Sequence, residues 1–157
     1  MTGFRRGTRL GVDVGKARVG VARCDPDGML AVPVETVARG EAAVARVAAL
    51  AAEHSAFEVL VGLPLSLSGA STASTDDARA FAGELATATR LPVRLVDERL
   101  STVSAHAALR EAGRSQKSSR RIVDQVAAVV LLQQAIDVEK RTGNPAGELL
   151  EDPLEHA

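Results

Sequence analysis

Aromatic side chains are almost missing from this chain: Phe4, Phe57 and Phe81 are its three, and its 157 residues include neither Trp nor Tyr. Val, Leu and Ala must therefore fill the core. The shortage also excludes a protein that holds single-stranded bases by stacking, which gains about 1–3 kcal/mol per base from each aromatic platform. Cysteine is as scarce. Cys24 stands alone, so no intramolecular disulfide can form, which fits a reducing cytoplasm; a small buried strand residue and a bridge between two subunits are its two readings. No apolar run approaches the roughly 18–20 residues of a membrane helix. Arg5 and Arg6 lead into a strand-like segment rather than a signal peptide, so a cytoplasmic protein without membrane attachment is expected. His54, His106 and His156 lack the spacing of a metal cluster, and no G-x-S-x-G elbow, Walker A loop or G-x-G-x-x-G occurs.

The sequence does offer ordinary globular composition, with 46% hydrophobic and 25% charged residues. The length suits one domain, expected over residues 1–143, followed by an acidic tail over 144–157 that is expected to be disordered. Net charge is −1, yet its distribution is uneven. The tail carries Glu148, Glu151, Asp152 and Glu155 without a Lys or Arg, so the body is basic on balance. Residues 110–121 concentrate that surplus in Arg110, Arg114, Lys117, Arg120 and Arg121 against the single acid Glu111, a segment suited to phosphate or to plain solvation.

Period-2 alternation in RLGVDV and ARVGVARC, joined through Gly15-Lys16, predicts a hairpin, and the turn signal Asp25-Pro26-Asp27-Gly28 introduces a third strand over 29–37. Val44, Val47, Leu50 and Ala51 fall at helical spacing, and 57–61 is a short apolar run of the buried parallel kind. A Ser- and Gly-containing loop over 62–71 precedes a helix opening at Ser74 or Thr75, with Ala78, Phe81 and Leu85 on its inner stripe. Pro92 opens the strand PVRLVDE. A helix from Ser101 or Thr102 to Gly113 and a long last helix over 121–140 complete the order. These elements predict an α/β fold: one mixed five-stranded sheet with helices on both faces.

Asp is disfavoured inside strands, so Asp13 in the first one needs a reason. Alternation places it between Gly11 and Gly15 on one face, opposite Leu10, Val12 and Val14, and the second strand adds Gly20 and Ala22. That reads as a hollow able to admit a metal ion or phosphate, with Lys16 and Arg18 as alternative, structural partners for the carboxylate. Asp97 and Glu98 end a strand where sites of open α/β sheets gather, and their opposite parity leaves one of them to bind metal. Glu98 is the choice and Asp97 the alternative. Asp124 opens a long helix with Ala127, Ala128 and Leu131 on its side, although an Asp there also suits the helix dipole. Three carboxylates form a hard-oxygen donor set that suits Mg²⁺ or Mn²⁺, and such ions support phosphodiester hydrolysis.

Four blocks in this order, GVDVGKARVGVA, VGLPLSLSG, VDERLST and DQVAAVVLLQ, resemble the YqgF family of RNase H-like proteins over residues 9–134. That family is described as Holliday junction resolvases or pre-16S rRNA nucleases. The resemblance implies an RNase H-like fold, Asp13, Glu98 and Asp124 as catalytic and metal-binding acids, and a role in ribosomal RNA maturation or branched-DNA resolution. One departure is visible: Ser66 and Ser68 stand where the family commonly shows Asn and an acid after Gly-Leu-Pro-Leu. Lys16, Arg18, Arg99, Lys117, Arg120 and Arg121 are candidate phosphate contacts to structured RNA or branched DNA, and a symmetric junction would favour a homodimer. Two other readings remain. The D-x-G opening also resembles the first phosphate loop of actin-like ATPases, but that architecture needs two domains; a non-catalytic nucleic-acid-binding module would keep the fold without turnover.

Overall fold

The computed structural model describes residues 3–66, 68–97 and 116–150, with side chains left aside for residues 116–124. β1 (Arg9–Val14), β2 (Arg18–Cys24) and β3 (Ala31–Ala38) form the antiparallel half of the sheet. After α1 (Ala43–Glu53), β4 (Glu58–Leu63) pairs parallel to β1, and after α2 (Ala73–Thr89), β5 (Val93–Asp97) pairs parallel to β4. The long helix α3 (Gln116–Thr142) then crosses back, and β6 (Glu148–Leu149) closes the sheet antiparallel to β5. The order is β3-β2-β1-β4-β5-β6. Six strands stand where the sequence predicts five, because Glu148 and Leu149, read as tail, pair with Leu95 and Arg94. The helix expected after Ser101 and residues 151–157 lie outside the described residues.

Strand parity divides the core into two layers. Leu10, Val12 and Val14, Val19 and Val21, Val59 and Val61, Val93 and Leu95 face α1 and α2. The opposite parity, with Ala22, Cys24, Leu60 and Val96, packs on Ala128, Leu132, Ala135 and Ile136 of α3. Small residues permit a close seat: a Cβ at Gly11 would stand 2.9 Å from Leu132 Cβ and 3.0 Å from the Ala128 carbonyl oxygen. Pro33 is tolerated in β3 because that strand is an edge.

Two boundaries differ from the sequence pattern. α2 starts at Ala73 with Thr72 as its cap, since the Thr72 hydroxyl accepts from the Thr75 amide and Thr75 reciprocates toward the Thr72 amide. α3 starts at Gln116, five residues before the apolar periodicity makes it visible. Among the described residues, no helix is long and apolar enough to cross a membrane.

The direction of α3 decides what lies where. Near its C-terminal end Glu139 meets Arg9, the first residue of β1, and farther back Leu132 and Ala128 meet Gly11. The helix therefore runs antiparallel to β1, and its leading turns approach the sheet edge where β1, β4 and β5 end.

Candidate metal and nucleic-acid site

Asp13 is half-buried on β1 and shares the parity of Gly11, so it belongs to the α3 face of the sheet. Its cross-strand partner is Gly20, whose own partner on β3 is Thr36. On the other side, β1 pairs with β4 as far as Val12 with Val61, which makes Gly62 the next residue along, and Gly62 pairs with Val96. Asp13 thus stands in a row running from Thr36 through Gly20 to Gly62 and Val96, with a glycine on either side.

That arrangement keeps Gly20 beside Asp13, as the second strand's pattern predicts, but corrects the part of the hollow inferred at Gly11 and Gly15 along β1. The space at Gly11 is taken by α3, and a Cβ at Gly15 would meet the Arg18 carbonyl oxygen at 2.8 Å. The side chains lacking beside Asp13 are those across the strands, at Gly20 and Gly62. Neighbouring strands lie roughly 4.8 Å apart, so the Thr36 and Asp13 backbones stand roughly 10 Å apart with Gly20 between them.

Over this row lies the leading part of α3. Gln125 donates from Nε2 to the Thr36 hydroxyl at 2.7 Å. Asp124 is its neighbour in the chain and stands one turn before Ala128, which packs above Gly11. The backbones of Asp13 and Asp124, 111 positions apart in the sequence, are therefore brought to the same end of the α3 face. The Asp124 side chain, like those of Lys117, Arg120 and Arg121, lies outside what is described, and so do Glu98 and Arg99 entirely. Asp97 is exposed and has the parity of Val93 and Leu95, on the α1–α2 face away from Asp13.

Other groups converge on the same edge. Arg18 opens β2 on the α3 face, two residues before Gly20, and Lys16 is exposed on the intervening turn. Lys16 lines a shallow depression with Arg39, Ala73, Ser74 and Asp77. Arg39 holds that region together: it donates to both Asp77 carboxylate oxygens at 2.8 and 3.0 Å and to the Gly15 carbonyl at 2.8 Å, and it lies over the Phe81 ring. The hydrogen bonds from Arg39 hold the Asp77 carboxyl below its ordinary value. In the loop after β4, the Ser66 and Ser68 hydroxyls bond each other and Ser66 also accepts from the Ala70 amide, so they fold the loop on itself. Thr75 fastens the loop by donating to the Pro64 carbonyl.

The described donors fit a hard divalent ion in kind. Asp13 offers carboxylate oxygens beside two positions without side chains, and no soft ligand lies in its row. Among the described residues, no three His, Cys, Asp or Glu side chains group as a metal site by themselves. Thr36 and Gln125 were not singled out by the sequence reading. Their signal was faint: Gln125 follows Asp124 directly, but its partner is 89 residues away on a strand where Thr is unremarkable.

The comparisons with known proteins agree with this architecture. The family model described as "RuvX: Holliday junction resolvase" matches residues 7–138. A protein of Clavibacter michiganensis subsp. michiganensis named "Putative pre-16S rRNA nuclease" is 56% identical, with 98% of this chain and 100% of that protein covered. One of Streptomyces coelicolor with the same name is 51% identical over 94% of this chain and 90% of its own length. Among solved structures, T. thermophilus RuvC in complex with a Holliday junction substrate superposes with a TM-score of 0.56 at 16% identity, covering 92% of this chain and 99% of that one. That likeness establishes the RNase H-like fold. The chain belongs to the RuvX family, the YqgF group that its four motif blocks resemble.

Proposed function

We propose that this chain is a divalent-metal-dependent nuclease that cleaves phosphodiester bonds in structured nucleic acid, with Asp13, Glu98 and Asp124 as its acids. The observation that carries the reading is the antiparallel run of α3, whose leading part lies over the glycine-flanked row of Asp13 with Asp124 one turn before the Ala128–Gly11 contact. Asp97 belongs to the face opposite Asp13, which counts against it and leaves Glu98 as the acid that the resemblance implies. These three acids would hold Mg²⁺ or Mn²⁺. The chemistry such an ion supplies when bound is a more acidic attacking water and charge to neutralise the departing oxygen. Arg18, on the same face, and Lys16, Arg99, Lys117, Arg120 and Arg121 hold the phosphate backbone without reading sequence.

The names of full-length relatives favour cleavage of the 16S rRNA precursor, and the family description favours branched DNA. Stoichiometry separates the two, because a four-way junction is two-fold symmetric and calls for two copies of the chain. The deciding experiment is a side-by-side cleavage assay on a pre-16S rRNA 5′ leader and a four-way DNA junction with Mg²⁺ and Mn²⁺. Asp13→Asn is expected to abolish cleavage while leaving the thermal midpoint nearly unchanged. Undiminished cleavage by that variant would discard the site.

A further inference from the structure

α3 is held to the sheet by contacts of two kinds. Its inner stripe, with Ala128, Leu132, Ala135 and Ile136, is apolar, which sets the face the helix turns to the sheet but leaves its fine rotation loose, since apolar contact has no preferred direction. That rotation is fixed by hydrogen bonds, which are directional. Their positions are uneven along the helix. Glu139 binds Arg5 and Arg9, and Lys140 donates to the Gly28 carbonyl, all at the end far from Asp13. Midway, Gln133 accepts from the Ala31 amide of β3 at 3.1 Å. At the Asp13 end, Gln125 donates to Thr36 at 2.7 Å, and Thr36 lies in the same cross-strand row as Asp13.

We infer that Gln125 and Thr36 are positioning residues of the metal site: their hydrogen bond pins the leading end of α3 to β3 in the row of Asp13 and so sets where the Asp124 backbone stands relative to Asp13. The inference rests on the proposed roles of Asp13 and Asp124. Neither Gln125 nor Thr36 touches metal or phosphodiester in this scheme. Gly20, between Thr36 and Asp13 in the row, has no side chain to bridge the gap. The separation of the two acids is therefore governed by the helix, and Gln125 is the described side chain that ties the helix to the sheet at this point. Loosening it spreads the acids over several positions and weakens their joint grip on an ion.

The test measures Mn²⁺ affinity calorimetrically on the full chain without nucleic acid, together with kcat and KM for cleavage. Gln125→Met and Thr36→Val, both close in volume to the native residues, are each expected to weaken Mn²⁺ binding about tenfold, the usual scale for groups that orient metal ligands. The double variant should be no worse than either single one, as expected for partners in one bond. Thr36→Ser, which keeps the hydroxyl, should restore the native affinity, and KM for nucleic acid at saturating metal should not move. Gln133→Met loosens the same helix two turns away and should leave Mn²⁺ affinity near native. Native affinity in Gln125→Met, or an equal loss in Gln133→Met, overturns the inference while leaving the nuclease reading intact. Mn²⁺ binding that survives Asp13→Asn unchanged overturns the metal-site reading and this inference with it.

Discussion

Gly11 shows what one missing side chain does. Its absent Cβ is where the α3 backbone rests, and adding a methyl sets it against the Ala128 carbonyl, which cannot swing aside as a flexible side chain would. Gly11→Ala is expected to cost about 1–3 kcal/mol, the range for overfilling a packed contact. Because the helix must lift to accept the methyl, cleavage should fall further than the loss of folded protein explains. Urea unfolding and initial rates well below the transition would check both; native stability would show that the helix seat is softer than its contacts indicate. At this scale the sequence was partly legible. An Asp among glycines on a strand was visible from alternation, which also gave Asp97 and Glu98 opposite parity; the choice between them draws on the family resemblance. What the alternation along one strand cannot report is what covers its face. The space drawn at Gly11 is filled by a helix more than a hundred residues later, and of the two glycines flanking Asp13 across the strands, Gly62 is on a strand that alternation along β1 does not reach.

Between elements, the end of the sheet opposite Asp13 is held by charge. Glu139 on α3 accepts from Arg5 at 2.7 Å and from Arg9 at 2.8 Å, while Glu58 on β4 accepts from Arg5 and from Arg94 on β5. Arg9 is 1% exposed and lies between the Phe4 and Phe57 rings. Burial pushes the Glu139 carboxyl up, but the hydrogen bonds of Arg5 and the charge of Arg9 outweigh it and hold the group below its ordinary value of 4.5. Glu139→Gln leaves the Arg9 guanidinium buried with a weaker partner, and by analogy with broken buried pairs should cost up to about 3–5 kcal/mol. The depressed pKa gives the pH dependence its sign. The unfolded chain takes up the proton first, so the carboxylate's contribution is complete above about pH 4.5 and is lost as pH falls through the lower folded value. Denaturation midpoints of native protein and Glu139→Gln should therefore converge on acidification below that value; a constant gap would mean the carboxylate is not the source. None of this was legible. Arg9 and Glu58 read as ordinary strand ends, and their partners are distant in the chain.

Across the whole molecule, the alternation of three hairpin-type strands followed by helix–strand units was enough to foresee a mixed sheet covered on both faces, because period and turn chemistry are local properties. β6 was not foreseeable: two residues carry no alternation, and Glu148 and Leu149 are exposed even when paired. The charge pattern is likewise a property of the entire chain. A net charge of −1 gives no general attraction to a polyanion, so binding must come from asymmetry. Arg18 and the exposed Lys16 stand at the Asp13 end, and the backbone of 116–121 leads α3 toward that same end. If Lys117 and Arg121 contact phosphates there, each releases counterions on binding. Lys117→Ala with Arg121→Ala should then weaken association with both nucleic acids and flatten the plot of log affinity against log salt by about two units, roughly 0.9 per duplex phosphate contact. The measurement needs the full salt range, because weaker binding at one salt concentration would follow equally from a displaced helix. Only loss of slope reports lost phosphate contacts, and an unchanged slope would make this segment a solvated face.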